Sequence, residues 1–451
     1  MPDTKNRPRR KKRRSRLTRR QKALVLTAVV LAIALAAVAG WKSLFVRPEV
    51  PEAPEEREDA PETAADYGDG IRPRVGGERK SQDWYTVLIL GRDTGGGGNT
   101  DTMLLASYDV TNQKAAVMSI PRDTMVNVSW DVKKINSVYN ANGQGQAGID
   151  ALYKEIAQLV GFQPDYRVVV EWEAVGALVD AIGGVEFDVP YDMDYHDPYQ
   201  DLVIEQAKGL RTLTGGDAMQ VIRWRGNDNS SPYGYKKKDG GIGDSGRMKV
   251  QQDFLKAVLR QLMKPENILN IGKIAKVFQE NVETDLSFQE ILWFGKQATL
   301  GGLKTENVEF LTMPWRGAYA YSRTESKRLG QYTELAYVTP VAGELLEIVN
   351  NKLSPFAETF SLSDLDIMSV NPDGSLRSTT GRVEDNKAAQ PPEKPQEAPA
   401  EEPAEGIPEE PEKAPAEAPA EEAPSAPEQP EEFPDPGSDP DFTIIDPPAA
   451  E

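Results

Sequence analysis

The 451-residue chain contains no cysteine and a single histidine, His196. The missing cysteines exclude disulfide scaffolds and thiolate zinc sites. One histidine cannot form a histidine-based metal site. Any catalytic or metal-binding chemistry must therefore depend on carboxylates, hydroxyls, lysines or arginines.

Charge is distributed very unevenly along the chain, whose formal net charge is −19. Residues 1–22 contain 12 lysines and arginines and one aspartate, whereas residues 384–451 contain 21 acidic residues and three lysines. A basic arm of this kind could bind nucleic acid. Its position directly before a long apolar stretch favours another role, and we expect no nucleic-acid partner.

Uncharged residues fill the stretch 23–41, between Lys22 and Lys42. As a helix this stretch would be about 28 Å long, close to the thickness of the hydrocarbon layer of a bilayer. We therefore predict a transmembrane helix over residues 23–42, with the basic residues 1–22 in the cytoplasm and the rest of the chain outside. A cleavable signal peptide is the alternative, because residues 37–39 (Ala-Val-Ala) are typical of a cleavage site.

Composition divides the remaining chain into three kinds of segment. Residues 43–80 are rich in Pro, Glu and Gly and are predicted to be a flexible extracellular tether. Residues 384–451 consist mainly of Pro, Glu and Ala, which cannot bury enough apolar surface to fold, so a disordered tail is predicted. Residues 81–360 form the predicted folded domain, and the assignment of residues 361–383 stays open.

Within residues 81–360, short apolar runs alternate with helical patterns, which predicts a single layered α/β domain. Strands are predicted at 84–90, 103–107 and 115–120, and again at 166–170 and 185–189. Helices are predicted at 145–160 and 172–182, and further ones at 249–263 and 288–299.

Charged residues follow or precede three of these predicted strands. Asp93 comes after the first strand, Asp101 precedes the second, and Arg122 and Asp123 follow the third. In open α/β sheets, ligands bind where loops converge at strand ends. We therefore expect these four side chains at one crevice, although such residues are also common as solvated loop residues or helix caps.

A second group of cations lies further along the chain. Arg223 and Arg225 are two residues apart at the end of an apolar run, residues 219–225, which we interpret as a strand. On a strand they would face the same side and form a fork suited to a phosphate or pyrophosphate. Arg247 lies near a predicted helix start, where backbone amides also favour anions.

The order of these motifs resembles that of the LytR-CpsA-Psr family. The chain has LGRDTGGGGNTDTM over residues 90–103, SIPRD at 119–123, KINSVY at 134–139, RWR at 223–225, DSGR at 244–247 and a glutamine pair at 251–252. Two positions depart from the family pattern, since Asn99 and Val250 stand where the family often has arginine. Both departures affect peripheral phosphate contacts.

The resemblance implies a central mixed β-sheet flanked by helices and a role in the bacterial cell membrane. Such proteins transfer a glycopolymer, for example teichoic acid or capsule, from a polyprenyl-pyrophosphate carrier to peptidoglycan. The implied site has Asp93 and Asp101 holding Mg²⁺ or Mn²⁺, with Asp101 the first candidate for the general base. The implied pyrophosphate ligands are Arg122, Lys134, Arg223, Arg225 and Arg247. Asp123 would orient Arg122, and Asp244 belongs to the same site.

Two other functions are compatible with the same residues. Water could replace the peptidoglycan hydroxyl, which would make the protein a polyprenyl-pyrophosphate-glycan hydrolase. The chain could also bind the lipid-linked intermediate without turning it over.

Overall fold

The computed structural model describes residues 45–50, 67, 70–92, 100–197, 202–227, 243–264, 266–267, 270–385 and 392–393. The predicted membrane helix, its basic flank and nearly all of the acidic tail lie outside these residues, so their assignments stay predictions. Within the described part of the chain, no helix is both long enough and apolar enough to cross a bilayer.

A mixed six-stranded sheet forms the centre of the fold, with the strand order β10-β3-β2-β1-β4-β9. The pairs β1–β4 and β3–β10 are parallel, and the other neighbours are antiparallel. The carboxyl ends of β1, β3, β4 and β10 therefore meet the amino ends of β2 and β9 at one edge. This confirms the predicted mixed sheet. The strands are β1 Trp84–Arg92, β2 Thr100–Asp109, β3 Lys114–Ile120, β4 Tyr166–Glu171, β9 Val282–Thr284 and β10 Val308–Thr312.

The first apolar core lies between this sheet and helix α2 (Gly145–Val160), which follows the short helix α1 (Ser137–Ala141). Ile149, Leu152 and Ile156 recur at helical spacing and are fully buried. The helix ends at Gly161, whose φ of 79° is left-handed. Its bounds agree with the prediction from the sequence.

A second apolar core is built by residues between β4 and β9, and it shares no residue with the first. Two hairpin-like pairs contribute to it, β5 with β8 and β6 with β7. The ring of Phe187 on β5 packs edge-on against Phe254 on α5, with centroids 5.6 Å apart. The elements are α3 Trp172–Ala181, β5 Val185–Val189, β6 Met193–Asp197, β7 Leu202–Gln206, β8 Gly209–Leu213, α4 Gly215–Arg223, α5 Gly243–Leu262 and α6 Ile271–Asn281.

The carboxyl-terminal part of the fold begins with α7 (Phe288–Leu300), which starts with a capping box between Ser287 and Glu290. The antiparallel pair β11–β12 and the short pair β13–β14 follow. Together with Met125 these two pairs form a smaller apolar cluster. The elements are β11 Trp315–Tyr321, α8 Arg323–Leu329, β12 Glu334–Pro340, α9 Ala342–Ile348, a π-helix Val349–Leu353, β13 Met368–Val370 and β14 Leu376–Ser378.

Both flanks of the predicted domain pack against it. Before it, the Arg74 amide donates to the Gly161 carbonyl (2.9 Å), and the Arg74 guanidinium lies 4.3 Å from the centre of the Phe360 ring. After it, the Asn127 amide donates to Asp366 (2.9 Å). Residues 70–80 and 361–385 thus contribute contacts to the folded unit.

Candidate functional site

The edge where the strands of the central sheet converge carries several of the predicted site residues. β1 ends at Arg92, which pairs with Thr100 at the start of β2 across an irregularity in register between Gly91 and Arg92. The turn that carries Arg122 follows the end of β3 directly. The backbone thus brings the segments of Asp101 and Arg122 to the same edge.

Three predicted site carboxylates cannot be placed in this geometry. Asp93 lies outside the described residues, and the side chains of Asp101 and Asp244 are not described although their backbones belong to β2 and α5. The hydroxyls of Thr100 and Thr102, on either side of Asp101, are buried without a hydrogen-bond partner in the described part of the structure. Such oxygen donors suit a hard cation or its waters. No group of three potential ligands from His, Cys, Asp and Glu occurs among the described residues.

Asp123 lies between two cations directly after β3. Its carboxylate is 2.9 Å from Lys134 Nζ and 3.8 Å from Arg122 Nε. About a quarter of each of these three side chains is exposed. The group has a net charge of +1 and is open to solvent, so it can contact an anionic ligand.

Backbone hydrogen bonds hold this group in place. The Thr124 amide and hydroxyl both donate to the Pro121 carbonyl, which closes a tight turn after β3. The Asn136 amide donates to the Arg122 carbonyl (3.1 Å), and the Val338 amide of β12 donates to the Asp123 carbonyl (3.0 Å). Lys134 Nζ also lies 5.8 Å from the centre of the Tyr337 ring. A backbone hydrogen bond therefore joins the two family-like motifs, SIPRD at residues 119–123 and KINSVY at residues 134–139.

The strand predicted over residues 219–225 is wrong. Helix α4 starts with a capping box between Thr214 and Asp217 and continues to Arg223 in its last turn, and Arg225 lies in the extended segment after it. Trp224 between them is buried, stacks on Tyr191 at 5.4 Å, and donates from Nε1 to Asn227.

The structure therefore does not support the fork that we derived from strand alternation. Arg223 is half-buried and Arg225 is exposed. A short apolar run fits a strand and a helix equally well. Here the segment is a helix, and that conformation buries Ala218, Val221 and Ile222. The capping signature at Thr214 is the sequence signal that could have separated the two.

Arg247 lies in the second turn of α5 and is buried. The two glutamines that follow it make separate contacts. Gln251 Nε2 donates to the Ile222 carbonyl of α4 (3.2 Å). Gln252 Nε2 lies 3.0 Å from Ser119 Oγ, 3.1 Å from the Leu311 carbonyl oxygen and 3.1 Å from Thr312 Oγ1.

One charged residue at the sheet edge was not predicted as part of the site. Arg92 Nη2 donates to Glu171 at the end of β4 (2.6 Å), and Nη1 lies 3.5 Å from Glu283 on β9. Burial disfavours the charged guanidinium, but the hydrogen bond and charge of Glu171 outweigh burial and raise the pKa of Arg92. Arg92 thereby ties three neighbouring strands beside the segment that contains Asp93. Its position two residues after the predicted strand 84–90 was the available signal.

The fold and this group of cations define an α/β protein with a candidate site for an anionic ligand. The chain belongs to the LytR_cpsA_psr family, whose model matches residues 53–336. The family predicted from the motifs is therefore confirmed.

Two curated relatives and one solved structure illustrate the similarity. The chain is 27% identical over 244 residues to the polyisoprenyl-teichoic acid–peptidoglycan teichoic acid transferase TagV of Bacillus subtilis, a match that covers 52% of this chain and 58% of TagV. It is 25% identical over 248 residues to the regulatory protein MsrR of Staphylococcus aureus, covering 54% and 68%. The crystal structure of B. subtilis TagV matches with a TM-score of 0.46 and 24% identity, over 60% of this chain and 95% of that one. The chain thus spans less than two thirds of the TagV relative.

Proposed function

We propose that this protein is a membrane-anchored transferase that moves a glycopolymer from a polyprenyl-pyrophosphate carrier to peptidoglycan. The observation that carries the proposal is the group of Arg122, Asp123 and Lys134 at the sheet edge. Family membership and the transferase activity named for TagV support it. We further propose that residues 23–42 anchor the chain in the bacterial cell membrane, with the folded domain outside.

The proposed reaction is a phosphoryl transfer. A peptidoglycan hydroxyl oxygen attacks the phosphorus next to the glycan and forms a phosphodiester, while the bond to the bridging oxygen breaks and polyprenyl phosphate leaves. Negative charge develops on that leaving oxygen, and cations fixed in place before the reaction stabilise it. Arg122 and Lys134 are two such cations at the sheet edge, and Arg223, Arg225 and Arg247 complete the proposed set.

The proton of the attacking hydroxyl must pass to a base, and Asp101 is our first candidate for that role. A Mg²⁺ or Mn²⁺ ion held by Asp93 and Asp101 would neutralise charge on the phosphates when bound. The chemistry of two carboxylates supports this proposal, because Mg²⁺ and Mn²⁺ prefer oxygen ligands. Electron paramagnetic resonance of Mn²⁺ tests it without an activity assay, because Asp101→Ala should weaken Mn²⁺ binding at least about tenfold.

The transfer assay uses the full chain in detergent with a polyprenyl-pyrophosphate-linked glycan, peptidoglycan and Mg²⁺. We expect glycan attached covalently to peptidoglycan, with a loss of at least about 100-fold in Asp101→Ala. Asp188→Ala, on the exposed face of β5, is the matched control and should keep wild-type activity. Free glycan phosphate would instead identify a hydrolase, and retained lipid without product would identify a binding protein.

A further inference from the structure

The proposed pyrophosphate site takes its cations from two separate apolar cores. Arg122 and Lys134 lie in the segment between β3 and α1, beside the first core. Arg223 and Arg247 lie on α4 and α5, whose apolar residues belong to the second core. Since no buried residue is common to both cores, the contacts along the boundary between α5 and the sheet help to fix the spacing of these cations.

Gln252 makes three polar contacts across this boundary. Its side-chain amide nitrogen lies within 3.1 Å of three acceptors, the Ser119 hydroxyl, the Leu311 carbonyl and the Thr312 hydroxyl. Ser119 is on β3, three residues before Arg122, and Leu311 and Thr312 end β10. One half-buried amide therefore bridges α5 and the carboxyl ends of two neighbouring parallel strands.

The same helix has a second contact with β10 and a contact within the second core. Lys256 Nζ, one turn after Gln252, lies 5.4 Å from the centre of the Phe310 ring. Gln251 donates to the Ile222 carbonyl, next to Arg223. Helix α5 is thus held to α4 by one glutamine and to the sheet edge by the next.

We propose that Gln252 is a positioning residue that holds Arg247 at the correct distance from Arg122 for both to act on one pyrophosphate. Gln252 need not touch the ligand, because it acts through the placement of α5. Because that ligand is the one named in the proposed function, this role of Gln252 rests on the proposed function.

Of the three neighbours, the Leu311 carbonyl is the one that requires an N–H donor at this position. The Leu311 carbonyl can only accept a hydrogen bond, and an ionised glutamate of the same shape has no hydrogen to donate. Gln252→Glu would therefore place a carboxylate against the Leu311 carbonyl oxygen and leave that carbonyl without its donor, whereas the Ser119 and Thr312 hydroxyls could still donate to the carboxylate. The exposed Gln279 on α6 offers a matched control for the same exchange.

The test measures binding of inorganic pyrophosphate to the full chain by isothermal titration calorimetry. The variants are Gln252→Glu, Arg247→Ala, the double variant and the control Gln279→Glu. We expect Gln252→Glu to weaken binding about tenfold and Gln279→Glu to change it less than about twofold. Residues that act through one another are not additive, so Arg247→Ala should cost much less in the Gln252→Glu background than in the wild type.

Two results would overturn this role of Gln252. One is wild-type pyrophosphate affinity in Gln252→Glu, and the other is a double variant whose loss equals the product of the two single losses. If Gln252→Glu does not fold, Thr312→Val removes an acceptor from the opposite side and should also weaken binding, whereas unchanged binding in it would reject the proposal. A wild-type protein that binds no pyrophosphate, or binds it independently of Arg122, would reject the proposed function as well.

Discussion

At the scale of single residues, Asp123 is the carboxylate that two site cations share. Its contacts of 2.9 Å with Lys134 and 3.8 Å with Arg122 orient both side chains but also cancel one of their charges. Asp123→Asn removes that negative charge and keeps the size of the side chain. We expect pyrophosphate binding to be retained or tightened, while kcat for transfer falls about tenfold because the cations lose their orientation.

Steady-state kinetics and pyrophosphate titration of the same protein sample check this separation of binding from turnover. Asp188→Asn serves as the control on the exposed face of β5. If pyrophosphate binding and kcat fall together, Asp123 is itself needed for ligand binding and does not merely orient Arg122 and Lys134.

Asp131 makes the stability of the fold depend on pH. Burial tends to raise the pKa of its carboxyl group, but hydrogen bonds from Ser322, Thr324 and Arg323 outweigh burial and lower the pKa to about 2. A carboxylate whose pKa is lower in the folded state stabilises the fold above its unfolded pKa. That stabilisation is lost as the pH falls through the folded value.

We therefore expect Asp131→Asn to lower the free energy of unfolding at pH 7 by about 2 kcal/mol. The difference from the wild type should shrink progressively below about pH 4. Urea unfolding at pH 7, 4 and 3 measures it. A difference that stays constant over this range would mean that the charge of Asp131 does not contribute.

At the scale of secondary-structure elements, the end of α2 is a tightly constrained position. Gly161 has a φ of 79°, and a Cβ there would lie 2.8 Å from the Asp364 carbonyl and 2.9 Å from the Leu365 side chain. Gly161→Ala combines backbone strain with a clash against the segment before β13. We expect a loss of about 3 kcal/mol in the free energy of unfolding.

A substitution of Gly145, at the start of the same helix, measures backbone strain without the clash. The φ of Gly145 is 53°, but no atom lies within 4 Å of a Cβ built there. Gly145→Ala should therefore show backbone strain alone, about 1 kcal/mol. Equal losses in the two variants would show that the contact with residues 364–365 is unimportant.

Elements with long, regular patterns could be predicted from the sequence, and shorter ones could not. Helix α2 has four apolar residues at helical spacing and a terminal glycine, so its bounds follow from the pattern alone. In residues 219–225 the apolar run was too short to distinguish a helix from a strand, and tertiary burial of Val221 and Ile222 decided it. The motifs predicted the family, but they could not predict two features of the site. The position of Asp123 depends on a backbone hydrogen bond from β12, and the bridge at Gln252 depends on a contact with Ser119, more than 100 positions away in the sequence.

At the scale of the whole molecule, the carboxyl-terminal segment 361–385 completes the buried surface of the fold. Ile367 and Met368 are almost fully buried, and Met368 and Leu376 pack in one cluster with Met125 and Tyr337. Asp385 forms an ion pair with Arg323, which also contacts Asp131. The segment that remained unassigned from composition therefore lies against the loop between the two site motifs.

Two truncated chains test how far the folded unit extends. A chain that ends at Phe360 would leave Met125, Ala320 and Tyr337 without the apolar side chains that cover them. Because each buried aliphatic side chain contributes about 1.5–3 kcal/mol, we expect the melting temperature to fall by at least about 10 °C. A chain that ends at Glu393 lacks residues 394–451 and should melt within about 2 °C of the full chain, because their composition predicts too little apolar surface to add stability. Differential scanning calorimetry at one protein concentration compares all three chains, and equal melting temperatures for the two truncations would place the end of the folded unit at residue 360.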